Sequence, residues 1–385
     1  MDIIKVKSVV SKLVRFFAVA FPGGYKFLAV MLITNFSEAS VAELFAEGFF
    51  WVLLFLTFSG VPVASMMSSR AESFSNKQKY GAILVSISLL LLFGFAFFMT
   101  KIDSVLFVNI ALASIFVSIY EFIRKDFFNT ESFVEIFITG GVSVVFLFTV
   151  YFGFELFSDY LLALSMFCML LPAWFLHAIM FSNISIESRV TNKKLFSVFS
   201  QYALSNGFST SLAAALPLLL VAEMGTEYSV VMAQVVALSK MLLLVPKAMS
   251  ASNIPKLRSN GPSWSIVKPY CKVLNIYFLV LTILSAPVAW FYDSNNALVF
   301  YLLLLSIQVS QLALPYSNVL AVEGKSKELL IANINGTLMF VVTLIPTYMF
   351  FTSGYDRGVI IIFFYLIHNF FKFHLTKNAS LVFIK

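Results

Sequence analysis

The basic residues of this chain alternate between loops in a pattern that constrains the fold more than any other feature. Twelve apolar stretches divide the sequence, and 22 of the 26 lysines and arginines fall in the loops or at the span ends on one side of them. Lys101 and Arg357 fall on the other side, while Lys26 and Lys240 lie inside two of the stretches. Lysine and arginine near the ends of a membrane span are retained on the cytoplasmic side. The pattern therefore predicts a multi-pass membrane protein with both termini in the cytoplasm.

The composition excludes an ordinary soluble domain. Hydrophobic residues make up 60% of the chain and charged residues 12%, whereas charged residues are about a quarter of a soluble domain. A span needs roughly 20 apolar residues, and a helix pairs all of its backbone groups within one segment. We therefore predict an all-α protein with twelve transmembrane helices, spans 1 to 12, at 14–34, 44–67, 80–100, 104–123, 133–153, 160–181, 198–221, 229–249, 269–291, 297–321, 329–351 and 358–376.

The two halves of the chain repeat a short motif. The dipeptide Val61-Pro62 lies near the end of span 2, and Val245-Pro246 lies near the end of span 8. Glu43 stands just before span 2, and Glu227 stands just before span 8. Both pairs are 184 residues apart, which is six spans. Because six is even, the halves have the same orientation and are related by an axis along the membrane normal. The repeat predicts two six-helix lobes, residues 1–190 and 191–385, around a central cavity.

Lys26 and Lys240 are the strongest candidates for substrate binding. Each lies eleven or twelve residues after the start of its span and eight or nine before its end, roughly 12–18 Å from either end at 1.5 Å per residue. An ammonium group at that depth costs several kcal/mol unless it faces water or a partner. The sequence predicts no aspartate or glutamate near either lysine. We expect a water-filled cationic cavity for an anionic substrate; the alternative is a lysine held by backbone carbonyls or neutralised by burial.

Polar residues on two spans support such a cavity. Span 7 carries Gln201, Ser205 and Ser209 at four-residue spacing, with Asn206 beside them, and span 10 carries Gln308. We predict that Gln201, Ser205 and Asn206 contribute to substrate binding. Small and polar residues also hold helices together in lipid without lining any cavity, so helix packing remains the alternative.

Several prolines and glycines mark expected bends. Proline removes a helical hydrogen bond. We predict hinges at Pro22-Gly23-Gly24, one turn before Lys26, and at Pro62 and Pro246, so that the two lobes can rock against each other.

The sequence carries no enzyme signature, and we predict a protein that is not an enzyme and binds no cofactor, metal ion or nucleic acid. His177, His368 and His374 lie near inner span ends, where we expect packing or hydrogen bonding without paired carboxylates. Cys168 and Cys271 have no metal-ligand spacing, and their positions favour free thiols.

The segment Phe199–Pro255 resembles bacterial O-antigen and polysaccharide flippases. It consists of a polar seventh span, the short turn Glu223–Tyr228, and an eighth span that continues into Ala248–Pro255. With twelve spans in two repeated sixes and short loops, the chain resembles the multidrug/oligosaccharidyl-lipid/polysaccharide exporter (MOP) superfamily over its whole length.

This resemblance implies a function. The substrate would be an undecaprenyl-pyrophosphate-linked oligosaccharide, such as an O-antigen repeat unit for lipopolysaccharide, moved from the inner to the outer leaflet by alternating access. Related flippases place cationic residues of the first and eighth spans toward the central cavity, where Lys26 and Lys240 would correspond. Polysaccharide polymerase and chain-length machinery would be partners.

Three other functions compete with the flippase. A multidrug antiporter of the same superfamily would need a buried acid for cationic drugs or protons, and the sequence predicts only Glu135, one turn inside span 5. A small-anion secondary transporter would use the same cationic cavity. A membrane enzyme such as a polysaccharide polymerase or ligase would be expected to carry a substantial outer loop, whereas the predicted outer loops are short.

Overall fold

A computed structural model describes residues 3–66, 75, 78, 80–85, 87–88, 92, 104–130, 132–153, 159–181, 191–351 and 354–385. All regular secondary structure within these residues is helical. Eleven segments among them are long and apolar enough to cross a membrane, judged by length and composition. This confirms the predicted all-α fold class. The predicted third span, 80–100, falls mostly outside the described residues.

Most helices extend beyond the predicted spans, since a helix does not end where the hydrocarbon ends. The helices of spans 1, 2 and 4 to 6 are Ile3–Phe36, Ala39–Phe58 with Gly60–Met66, Ser104–Asn129, Phe133–Gly153 and Leu161–Phe181. The helices of spans 7 to 9 are Asn192–Met224, Ser229–Leu242 with Leu244–Asn260, and Trp264–Tyr292. Those of spans 10 to 12 are Ala297–Val309 with Leu314–Val322, Ser326–Phe350 and Gly354–Leu381. Two 3₁₀ helices, Thr226–Tyr228 and Ser310–Ala313, lie between spans 7 and 8 and inside span 10.

Spans 2 and 8 are broken at corresponding positions. The first helix of span 2 ends at Phe58 and that of span 8 ends at Leu242, and each of these residues lies four before the repeated proline, Pro62 or Pro246. A proline ring clashes with the carbonyl four residues earlier and offers that carbonyl no N–H. These helix breaks therefore lie where the two prolines remove a backbone hydrogen bond, and the hinges at Pro62 and Pro246 stay a prediction.

Proline does not break every helix in which it occurs. The helix of span 1 continues without interruption through Pro22, Gly23 and Gly24, and that of span 7 continues through Pro217. The hinge at Pro22-Gly23-Gly24 therefore stays a prediction.

The chain divides into two compact units, Met1–Asn206 and Gly207–Lys385. The division falls inside the helix Asn192–Met224 of span 7. The predicted lobe boundary at 190/191 lies one loop earlier, at the edge of residues 182–190, which are outside the described part of the chain. That boundary stays a prediction.

Candidate functional site

Lys26 is fixed in the N-terminal unit by the residue before it. The Tyr25 hydroxyl donates a hydrogen bond of 2.6 Å to the backbone carbonyl of Ser165 on span 6, and both residues are buried. Successive side chains on a helix point about 100° apart. Because Tyr25 faces span 6, Lys26 faces a different neighbouring helix. Lys26 is 8% exposed.

That neighbour is span 4, which carries a carboxylate. Lys26 Nζ lies 3.7 Å from Glu121 Oε1. The other carboxylate oxygen, Glu121 Oε2, accepts hydrogen bonds from Arg124 Nε at 3.0 Å and Arg124 Nη2 at 2.5 Å. Two cations and one anion therefore meet in the N-terminal unit, with one positive charge in excess.

The prediction that Lys26 has no acidic partner is wrong. The predicted span 4 ends at residue 123, which would put Glu121 at the membrane edge. The helix instead runs to Asn129, so two further turns follow Glu121. Hydropathy does not reveal how far a helix extends beyond its apolar segment, because charged residues end the apolar pattern before the helix ends.

A second buried pair joins span 4 to span 6. His177 Nε2 lies 3.1 Å from Asp126 Oδ2, and both side chains are nearly buried. The rings of Phe122 and Phe127 meet the imidazole edge to face. The prediction that the histidines lack paired carboxylates is therefore wrong for His177, whose partner is 51 residues away on a different span.

His368 behaves as predicted. Its Nδ1 lies 2.8 Å from the carbonyl oxygen of Gly336, between spans 12 and 11. An added Cβ on Gly336 would come within 3.1 Å of the imidazole ring. This is a packing and hydrogen-bonding role.

Lys240 lies in the C-terminal unit, in the last turn before the break in span 8. It is half-buried. Lys26 and Lys240 belong to different compact units. The prediction that both lysines line one cavity is untested and stays a prediction.

The predicted polar residues of span 7 differ in exposure. Gln201 is exposed, Ser205 is buried, and Asn206 is half-buried with its Nδ2 donating to the Tyr202 carbonyl in the same helix at 2.8 Å. The side chain of Ser209 lies outside the described residues. Their role in substrate binding stays a prediction.

The breaks in spans 8 and 10 bring together polar groups, of which the sequence analysis singled out Gln308 and missed Tyr277. Tyr277 on span 9 donates to the Leu242 carbonyl at 2.6 Å, beside the break in span 8. Gln308 Nε2 donates to Ser285 Oγ at 3.0 Å, close to the break in span 10. A cleft beside them is lined by Leu242, Pro246, Tyr277 and Gln308, together with further leucines and Phe278. The tyrosine gives no sequence signal, since a tyrosine on an apolar span is normally read as an interfacial anchor.

No cluster of three or more histidine, cysteine, aspartate or glutamate side chains that could hold a metal ion occurs in the described ranges.

The fold is similar to that of several solved transporters. It matches the outward-facing conformation of a multidrug resistance MATE family transporter of the MOP superfamily with a TM-score of 0.61 and 13% identity, covering 98% of this chain and 95% of that one. A mutant of the Vibrio cholerae MATE transporter VcmN matches with a TM-score of 0.58 and 11% identity, covering 97% and 96% of the two chains. A MOP superfamily transporter from Pyrococcus furiosus, described as having a binding pocket of reverse polarity, matches with a TM-score of 0.59 and 13% identity, covering 98% and 96%.

No protein-family model matches the sequence, and neither does any curated protein. At 11–13% identity, the structural matches show the fold. That fold is the one seen in solved MATE transporters.

Proposed function

We propose that this chain is a secondary transporter that moves its substrate across the membrane by alternating access. The observation that carries the proposal is the similarity of nearly the whole chain to MATE transporters of the MOP superfamily. The helix breaks at Phe58 and Leu242 add support, since interrupted helices allow parts of a transporter to move against each other.

The first candidate substrate class is cationic compounds, exported by a multidrug antiporter. The similar structures include proteins described as multidrug resistance transporters. This function needs buried acids, and the sequence predicted only Glu135. Glu121 and Asp126 are both buried on span 4, so the main objection to this candidate is removed.

The second candidate is the flippase of an undecaprenyl-pyrophosphate-linked oligosaccharide. Lys26 and Arg124 together carry one positive charge more than Glu121 compensates. A diphosphate headgroup needs cations to replace part of its hydration shell in the membrane, and an excess of positive charge supplies them. Lys240 would add a second cation from the C-terminal unit. For this candidate we propose location in the bacterial inner membrane and cooperation with polysaccharide polymerase and chain-length machinery.

Expression in a bacterial strain lacking its own flippases and multidrug exporters tests both candidates together. Flippase activity predicts restored surface glycan. That glycan should disappear with Lys26→Glu or Lys240→Glu while the protein still accumulates in the membrane. Wild-type glycan after Lys→Ala at both positions would contradict a cationic site for the substrate.

Antiporter activity predicts instead a lower accumulation of ethidium, which Glu121→Gln should abolish because the cation loses its carboxylate. Lys193→Glu, a charge reversal at an exposed lysine of the inner connection, is the matched control and should leave both readouts unchanged. A strain with neither restored glycan nor reduced ethidium, despite normal protein levels, would contradict the proposal.

A further inference from the structure

The carboxylate of Glu121 is shared unequally between its two cations. Arg124 binds one oxygen through two nitrogens at hydrogen-bonding distance. Lys26 Nζ lies 3.7 Å from the other oxygen, which exceeds the length of a hydrogen bond. Lys26 is therefore held by charge attraction, and its ammonium donors are not committed to Glu121.

We propose that Glu121 is a specificity-determining residue that competes with an anionic substrate for Lys26. The Glu121 carboxylate neutralises the Lys26 ammonium while no substrate is bound. When a phosphate-type anion binds, the ammonium moves from Glu121 to that anion. This inference rests on the flippase candidate of the proposed function, and it names diphosphate as the group that Lys26 contacts.

The arrangement keeps the free-energy cost of this exchange low. A diphosphate oxygen at the usual 2.7–2.9 Å of a charge-assisted hydrogen bond would approach Lys26 more closely than Glu121 does. Glu121 would still keep both hydrogen bonds from Arg124 after Lys26 turned away. It would therefore not become an unpaired buried charge, which is the usual large cost of breaking a buried ion pair.

The same arrangement disfavours other ligands. A cation at this place would meet Lys26 and Arg124 and would have to displace one of them from a single carboxylate. A neutral headgroup would gain nothing by separating Lys26 from Glu121. The cluster therefore favours ligands with negative charge, and Glu121 lowers the affinity with which such ligands bind.

The test is ligand binding by the purified full-length protein in a neutral detergent. The probes are inorganic pyrophosphate and farnesyl pyrophosphate, with farnesol as the uncharged control. Glu121→Gln should bind both diphosphates about tenfold more tightly than wild type, which corresponds to ~1.4 kcal/mol. Farnesol binding should not change. An equal increase in affinity for both diphosphates means that the site binds the free anion. An increase confined to farnesyl pyrophosphate means that the site binds the headgroup of a lipid.

Two further variants assign the gain to Lys26. In the double variant Lys26→Gln/Glu121→Gln the gain should disappear, because the contested cation is gone. Glu47→Gln removes a half-buried carboxylate elsewhere in the same unit and should show no gain, which controls for net charge. Glu121→Asp withdraws the carboxylate by one methylene and should show a smaller gain, which keeps the test available if Glu121→Gln fails to fold.

Unchanged or weaker diphosphate binding by both Glu121 variants would overturn the inference. So would a gain that persists without Lys26. Binding in detergent does not require transport, so this result stands apart from the cellular test. Tighter diphosphate binding by Glu121→Gln without flippase activity would count against the flippase candidate alone.

Discussion

The hydroxyl of Tyr277 donates a 2.6 Å hydrogen bond to the backbone carbonyl of Leu242, across the interface between spans 9 and 8. This is the carbonyl that Pro246 deprives of its helical partner, since proline has no N–H. An unpaired carbonyl inside a membrane costs several kcal/mol. Tyr277 therefore stabilises the break in span 8.

Replacing Tyr277 with phenylalanine should destabilise the C-terminal unit by about 1–3 kcal/mol, the cost of leaving a buried acceptor without its donor. The ring remains, so packing is preserved and the loss reports the hydroxyl. Thermal unfolding in detergent measures the effect. Tyr355→Phe, at an exposed tyrosine of the same unit, is the control and should leave the transition unchanged. Equal behaviour of the two variants would show that the Leu242 carbonyl finds another donor.

Replacing Pro62 or Pro246 with alanine should slow transport with little effect on substrate binding. Alanine supplies the missing N–H, so the helix can close across the break and stiffen. For a flippase, lipid-linked glycan should accumulate on the cytoplasmic leaflet, as measured in cells lacking other flippases. Pro172→Ala, at a proline inside the unbroken helix Leu161–Phe181, is the control. Normal export by both single variants and by the double variant would mean that these prolines only terminate helices.

The sequence was sufficient to predict the helical class, because hydropathy reports the spans directly. The helix breaks in spans 2 and 8 each lie four residues before one of the repeated prolines, Pro62 and Pro246. Prolines at other positions did not break their helices, however. Pro22 and Pro217 lie inside continuous helices, because neighbouring packing decides whether a proline bends a helix or breaks it.

The charged partners could not be predicted. Glu121 lies two residues before the predicted end of span 4 and Asp126 three residues after it, so the sequence placed both at the membrane edge and not in a buried cluster. Their partners, Lys26 and His177, are 95 and 51 residues away in sequence. Such distances depend on which spans pack together, and one sequence does not contain that information. The chemistry of the candidate site therefore required the structure.

Breaking the Asp126–His177 pair should destabilise the N-terminal unit. Asp126→Asn removes a charged acceptor from a nearly buried imidazole, at a cost of about 1.5–3 kcal/mol. Thermal unfolding of the purified variant measures it. His374→Gln, at an exposed histidine, should have no effect. A stable Asp126→Asn protein would indicate that the pair contributes little to folding.

The membrane topology makes a separate prediction. After both native cysteines are replaced by serine, single cysteines at Ser40, Ser158 and Ser294 should react with an impermeant thiol reagent in intact cells. Cysteines at Ser75 and Ser259 should react only after the membrane is opened, because the basic loops are predicted to be cytoplasmic. The reverse pattern would contradict the assignment of the spans and remove the inner-leaflet entrance that a flippase needs.

Transport by purified protein in proteoliposomes tests the central claim most directly. One set of vesicles contains ethidium under an imposed proton gradient. The other contains a fluorescent lipid-linked diphosphate oligosaccharide, whose leaflet is read by quenching with impermeant dithionite. We predict that one substrate crosses faster than in protein-free vesicles, and that the Pro62→Ala/Pro246→Ala double variant slows it. Movement of neither substrate by correctly inserted protein would contradict the assignment of this chain as a transporter of these classes.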